Sequence, residues 1–316
     1  MRLGADHVLV TVPATSANLG PGFDAMGLAL GLHDEIEVRL VASDDVTVEV
    51  VGEGAGEVPD GADHLVVRAL QHTLEAAGAP LTGVHLRCTN RIPHGRGLGS
   101  SAAAVVSGIV AARGLLADPH VLDARTMLGI ATAFEGHPDN AAPALRGGAT
   151  LAWSGPQGPR AVDLEVDPRV RATVLVPDVR LATSRARGVL PDQVPHADAA
   201  FTAGRAALLV EALARRPELL LDATEDRLHQ DYRAEVMAST AELVRALRAA
   251  GLAATVSGAG PTVLVLAVAE QRTALDTVLS DLLGDLGADR VGGAGWRVAD
   301  LAIDGTGATC RSVAQE

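Results

Sequence analysis

The stretch Pro93-His94-Gly95-Arg96-Gly97-Leu98-Gly99-Ser100-Ser101-Ala102-Ala103 constrains this chain more than any other. Its glycines at every second position open backbone angles that L side chains avoid, and two hydroxyl residues then begin an apolar run. That run, residues 100–116, sets Ala102, Val105, Val106, Ile109, Val110 and Leu116 on one face and predicts the strongest helix of the chain. A strand-like segment precedes it, with Val84, Leu86 and Cys88 alternating against His85, Arg87 and Thr89. A glycine turn that opens a helix gathers N–H groups and the positive helix end at one point, where an anion fits. The hydroxyls can bind phosphate oxygens or a divalent cation. The bland alternative is a turn in which Ser100 or Ser101 caps the helix. Gly97 to Ala102 also fits G-x-G-x-x-[GA]. However, Pro93 and several polar residues intervene after the strand, and no second strand ending in an acid follows about 20 residues on, so a dinucleotide fold is disfavoured.

Composition narrows the chemistry. All 26 basic residues are arginine, so a P-loop lysine, a kinase strand lysine and a Schiff-base lysine are excluded. Against 39 acidic residues the formal charge is −13, which argues against nucleic-acid and anionic-membrane partners. Cys88 and Cys310 stand far apart, in neither a disulfide framework nor a zinc spacing. The longest apolar stretch, 102–112, is too short to span a bilayer, and Asp6 and His7 interrupt the start as they would not in a signal peptide. The expectation is a soluble, cytoplasmic protein.

At 316 residues and 48% hydrophobic, the chain suggests two domains. Strands are expected at 7–12, 35–41, 46–51, 84–89, 172–176, 262–268 and 296–303. Helices are expected at 63–77, 100–116, 120–135, 198–215, 233–250 and 271–283, with a loop at 284–295. Residues 153–167, rich in Gly, Pro and polar side chains, read as a boundary, giving domains 1–155 and 156–316. The irregular alternation predicts α+β layers rather than a doubly wound sheet.

Three more segments carry chemical groups. Residues 13–24, Pro-Ala-Thr-Ser-Ala-Asn-Leu-Gly-Pro-Gly-Phe-Asp, form a turn-rich loop holding Asn18 and Asp24; a solvated loop acid is the plain reading of Asp24. Residues 134–140 crowd Glu135, His137, Asp139 and Asn140 after a helix, which suits a cation or an ammonium group, or simply a polar helix end. Residues 256–262 are a tight turn or a second backbone anion nest.

Together these segments resemble the GHMP family of small-molecule kinases. The 93–103 loop is similar to the family's phosphate loop, and Ser257-Gly-Ala-Gly-Pro-Thr262 to its C-terminal glycine motif. Residues 13–24 are similar to the N-terminal signature of the homoserine-kinase branch, and 135–140, 186–191 and 227–233 agree with it. The resemblance implies an N-terminal domain like ribosomal protein S5 and a ferredoxin-like C-terminal domain, with ATP between them. It implies transfer of phosphate to the homoserine hydroxyl, a step of threonine biosynthesis, and it allows a homodimer. Residues 93–103 would wrap the phosphates, while Ser101 and Glu135 would hold Mg²⁺. Asn18, Asp24, His137, Asp139, Arg187 and Arg233 would line the homoserine pocket, acids toward the ammonium and arginines toward the carboxylate. Asn140 would orient the hydroxyl, with no dedicated base. His64 departs from an Asn often found at the adenine side. The rivals are another kinase of the family, with a different pocket, and a non-catalytic ATP sensor.

Overall fold

The computed structural model describes residues 1–283 and 295–313, so the loop expected at 284–295 lies outside the described residues apart from Gly295. Aliphatic residues alternate inward along β1 (His7–Ala17), where Val8, Val10, Val12 and Ala14 are fully buried. Each buried valine contributes about 1.5–3 kcal/mol by leaving water. β1 pairs antiparallel with β2 (Met26–Val41), and the register shifts between Pro13 and Ala14. That irregularity re-aims the last residues of β1, which carry Thr15 and lead into Asn18.

β3 (Val46–Gly52) runs parallel to β4 (Gly83–Asn90), a pairing that needs a crossover, here α1 (Leu65–Ala76). The next helix, α2 (Ser100–Leu115), is apolar on nearly every side and is buried between α1 and β1. Then come α3 (Ala124–Glu135), α4 (Ala141–Arg146) and the hairpin β5 (Ala149–Gly155) and β6 (Gly158–Leu164), which joins the sheet through β2.

The second half supplies β7 (Val170–Pro177), α5 (Thr183–Gly188), α6 (His196–Ala214), α7 (Leu220–Ala223) and α8 (Gln230–Arg233). It continues with α9 (Ala238–Ala249), β8 (Ala253–Val256), β9 (Val263–Val268), α10 (Arg272–Leu283), β10 (Trp296–Leu301) and β11 (Thr309–Ser312). The order β10-β7-β9-β8 is antiparallel throughout. Counted within this sheet it reads 4-1-3-2, the ferredoxin-like arrangement. β11 returns to the first sheet, whose order is β11-β1-β2-β4-β3.

Several expectations change. The first strand runs on to Ala17, so residues 13–17 of the supposed 13–24 loop are strand, and β2 starts at Met26 rather than 35. The boundary at 155/156 falls in the turn between β5 and β6, two strands of one hairpin; by sheet membership the first part runs through β6 and takes back β11. The Gly-Pro-Gln-Gly turn of that hairpin read as a linker because each arm is short. The helix expected over 233–250 begins only at Ala238, as α9; Arg233 closes α8, and a 3-10 turn at Ala234–Val236 lies between.

Candidate active site

The 93–103 loop bridges the two sheets. Gly95, Gly97 and Gly99 all take left-handed angles (φ 65, 79 and 70). Gly99 precedes α2, and a Cβ there would lie 2.0 Å from Thr15 Oγ1, so only glycine fits. Neither serine caps the helix: Ser100 and Ser101 are its first two residues, and Ser101 Oγ donates to Glu135 Oε1 at 2.6 Å. The first-turn amides of α2 therefore face outward with the positive helix end. Leu98, Ala102 and Ala103 are buried in the core, so they can serve a ligand only through backbone. Arg96 turns away from the loop's concave side; its guanidinium donates to the carbonyls of Pro177, His94 and Asp178.

A seam of hydrogen bonds holds this loop to the 256–262 turn. Ser257 Oγ meets Gly97 O at 2.6 Å and Ser16 Oγ at 2.8 Å, Gly258 N–H donates to Ala17 O, and Thr262 N–H donates to Arg96 O. Residues 256–262 are thus a tight turn docked on the loop, and Gly258 and Ala259 reach the cavity beside it.

That cavity, of about 350 Å³, brings together Asn18, Glu135, His137, Asp139, Asn140, Arg187 and Arg233 with the three loop glycines and both serines. Thr183 also lines it. Asp24 stands just behind, paired with Arg187 through two bonds of 2.6 and 3.2 Å. That pairing holds the Arg187 guanidinium above its ordinary pKa. Arg187 thus lines the cavity with Asp24 as its partner. Asn18 likewise works inside the protein: Nδ2 donates to Gly258 O and Oδ1 accepts from the Asp24 N–H.

Arg233 is different. It is 1% exposed, and its Nε and Nη1 donate to Ala186 O, His229 Nδ1 and Gly258 O, which leaves Nη2 out. Among the described residues no carboxylate forms an ion pair with it, and burial pushes its pKa down. A buried guanidinium without a counter-ion calls for an anion.

Opposite in sign, Asp24, His137 and Asp139 bring three ligand atoms within 4.8 Å of one another. Asp139 Oδ1 is engaged twice, by His137 Nδ1 at 2.5 Å and by the Asn140 N–H at 2.9 Å. The first contact raises the His137 pKa. Glu135 is raised by burial, which outweighs its bond from Ser101. Asn140 Oδ1 accepts from Thr15 Oγ1 at 2.9 Å, so its Nδ2 is the end offered to a ligand.

A second, apolar cavity of about 250 Å³ shares Ser100 and Ser101 with the first and is bounded by Ile36, Pro59, Val66 and Ala104. His94 and His64 line this cavity and not the first. His64 is 5% exposed, its Nδ1 finds no partner among the described residues, and burial lowers its pKa. Thr15 and Thr183 were not singled out in the sequence. Thr15 is out of phase with Val8, Val10 and Val12 and lies beyond the register shift at Pro13/Ala14, so alternation carried no signal for it; Thr183 was readable as the residue one helical turn before Arg187.

Residues 64–148 match the family model described as GHMP kinases N terminal domain, and residues 206–289 that described as GHMP kinases C terminal. The chain is similar to the homoserine kinase of Leifsonia xyli subsp. xyli, at 50% identity over 99% of this chain and 95% of the relative. The homoserine kinase of Streptomyces avermitilis is 49% identical over 96% of each. The crystal structure of homoserine kinase from Cytophaga hutchinsonii superposes with a TM-score of 0.84 at 28% identity, over 98% of both chains.

Proposed function

The chain belongs to the GHMP kinase family, and on that premise we propose that it transfers the γ-phosphoryl group of ATP to the side-chain hydroxyl of L-homoserine. The product is O-phospho-L-homoserine, an intermediate on the way to threonine. The observation that carries the acceptor is Arg233: a buried guanidinium that among the described residues forms no ion pair, on the same cavity as Asp139, with Asp24 just behind. An amino acid presents both matching charges, whereas mevalonate lacks the ammonium and galactose lacks both.

The adenine would enter the apolar cavity beside His64 and the phosphates would lie along the 93–103 loop. The two cavities meet at Ser100 and Ser101, so a phosphoryl group at the start of α2 would face both substrates. Ser101 and Glu135 fit Mg²⁺: both present oxygen donors, and the raised Glu135 pKa is what a neighbouring cation reverses. Bound there, the ion would neutralise charge on the phosphates.

Asn140 offers an N–H rather than an acceptor, because Thr15 holds its oxygen. It would therefore hold the homoserine hydroxyl by the oxygen lone pair and leave the O–H turned toward the phosphate. A loose transition state needs little deprotonation of the nucleophile until late, so orientation does most of the catalytic task.

Coupled release of ADP with homoserine, mevalonate, galactose and serine tests the assignment. Homoserine should be used far faster than the rest; serine, one methylene shorter, leaves its hydroxyl about 1 Å from the required place. Equal or better turnover of mevalonate or galactose overturns the reading.

A further inference from the structure

His229 has no place in the roles given so far, yet it is 0% exposed and touches the acceptor cavity's main cation. It stands at the start of α8, four residues before Arg233, whose N–H donates to the His229 carbonyl. The buried Asp226 carboxylate accepts the N–H groups of Leu228, His229 and Gln230, so this turn is fixed before the imidazole acts.

The ring has two polar partners. Its Nδ1 receives Arg233 Nη1 at 3.1 Å, and its Nε2 lies 2.8 Å from Gly20 O. A guanidinium only donates and a carbonyl only accepts, so Nε2 carries the proton and the ring is neutral. Full burial, which lowers the His229 pKa despite Asp226 nearby, acts in the same sense. One face of the ring stacks on Phe23, centroids 4.9 Å apart. Gly20 and Phe23 lie between Asn18 and Asp24, in a turn pressed so closely on the second half that a Cβ at Gly20 would meet Thr224 O at 2.4 Å.

We propose that His229 is a positioning residue for the amino-acid acceptor: one imidazole aims the Arg233 guanidinium by accepting from it and anchors the Asn18–Asp24 turn by donating to Gly20. The inference rests on the acceptor assignment made above. It accounts for a histidine at this point, because the position needs an acceptor, a donor and a flat face on one rigid ring. Asparagine can imitate the Nδ1 side and glutamine the Nε2 side, but neither reproduces both.

The test measures both KM values and kcat for the wild type, His229→Gln, His229→Asn, Arg233→Ala and the His229→Gln/Arg233→Ala double variant, with melting temperatures alongside. His229→Gln, which loses the acceptor, should raise homoserine KM about tenfold, with ATP KM within about twofold and kcat within about threefold. His229→Asn keeps an acceptor for Arg233 and should raise homoserine KM less than about threefold, even where it melts as early as the glutamine variant. In the Arg233→Ala background, His229→Gln should add less than about twofold. Equal KM effects from the two His229 variants, a parallel rise in ATP KM, or full additivity with Arg233→Ala overturns the inference. If Arg233→Ala itself leaves homoserine KM unchanged, the acceptor assignment fails and the inference with it. If Arg233→Ala raises it and His229→Gln does not, the inference alone fails.

Discussion

Ser101 Oγ donates to Glu135 Oε1 at 2.6 Å, tying the first turn of α2 to the last residue of α3 at the point where the two cavities meet. Glu135→Ala should lower kcat by two orders of magnitude or more, about 2.8 kcal/mol of barrier, with melting little changed. Normal turnover by that variant at limiting Mg²⁺ would remove Glu135 from the metal site.

The two arginines should separate kinetically. Arg233→Ala should raise homoserine KM by about 100-fold and leave ATP KM within about threefold, because a charge-assisted contact to a non-reacting group is lost. Arg187→Ala should have a smaller effect on homoserine, since its bidentate partner is Asp24. Initial-rate kinetics with each substrate varied decide this, and equal effects of Arg233→Ala on both KM values would move that residue to the phosphates.

Turnover should proceed without a titrating base. At saturating substrates kcat should lack an acidic limb belonging to Asp139, because kcat reports ionisations in the bound complex. Asp139 is already engaged by His137 and by the Asn140 N–H. Asn140→Ala should lower kcat by about 10–100-fold, roughly 1.4–2.8 kcal/mol of lost orientation. An acidic limb that disappears in Asp139→Asn, together with nearly all activity, would make Asp139 the base.

Burial raises the Asp34 carboxyl to about 6, although the N–H groups of Arg91 and Ile92 both donate to its Oδ1. A pKa raised on folding means that the folded state binds the extra proton. The contribution is therefore complete below the ordinary carboxyl value of 3.8 and is lost as pH rises through about 6. Asp34→Asn keeps an oxygen for both N–H groups and carries no charge. Its melting temperature relative to wild type should rise between pH 4 and pH 7; a difference constant across that range would refute the assignment.

The glycine loop, the acid-rich end of α3 and the 256–262 turn were legible in the sequence because each packs its chemistry into a few consecutive residues. The long apolar helix was legible for the same reason, as a local pattern. What was hidden was pairing. Nothing in the order of residues says that Arg187 turns to Asp24 across 163 positions while Arg233, among the described residues, bonds only Ala186 O, His229 Nδ1 and Gly258 O. The β5–β6 hairpin was hidden too, since seven-residue arms around Gly-Pro-Gln-Gly resemble a linker until β2 offers an edge. His229 was visible as part of a motif, but its partner Gly20 lies in the other half of the chain.

β11 covers the outer edge of β1, the strand that leads into Asn18 at the cavity. During synthesis that edge has no protein partner until residues 309–312 leave the ribosome, by which time everything else in the site has been made. A row of unpaired N–H and C=O groups on an otherwise apolar strand is a template for another copy of the chain. A nick or a premature stop just before Thr309 would leave the 93–103 loop, residues 134–140 and Arg233 in the chain, yet the protein would pair with itself along β1 and precipitate.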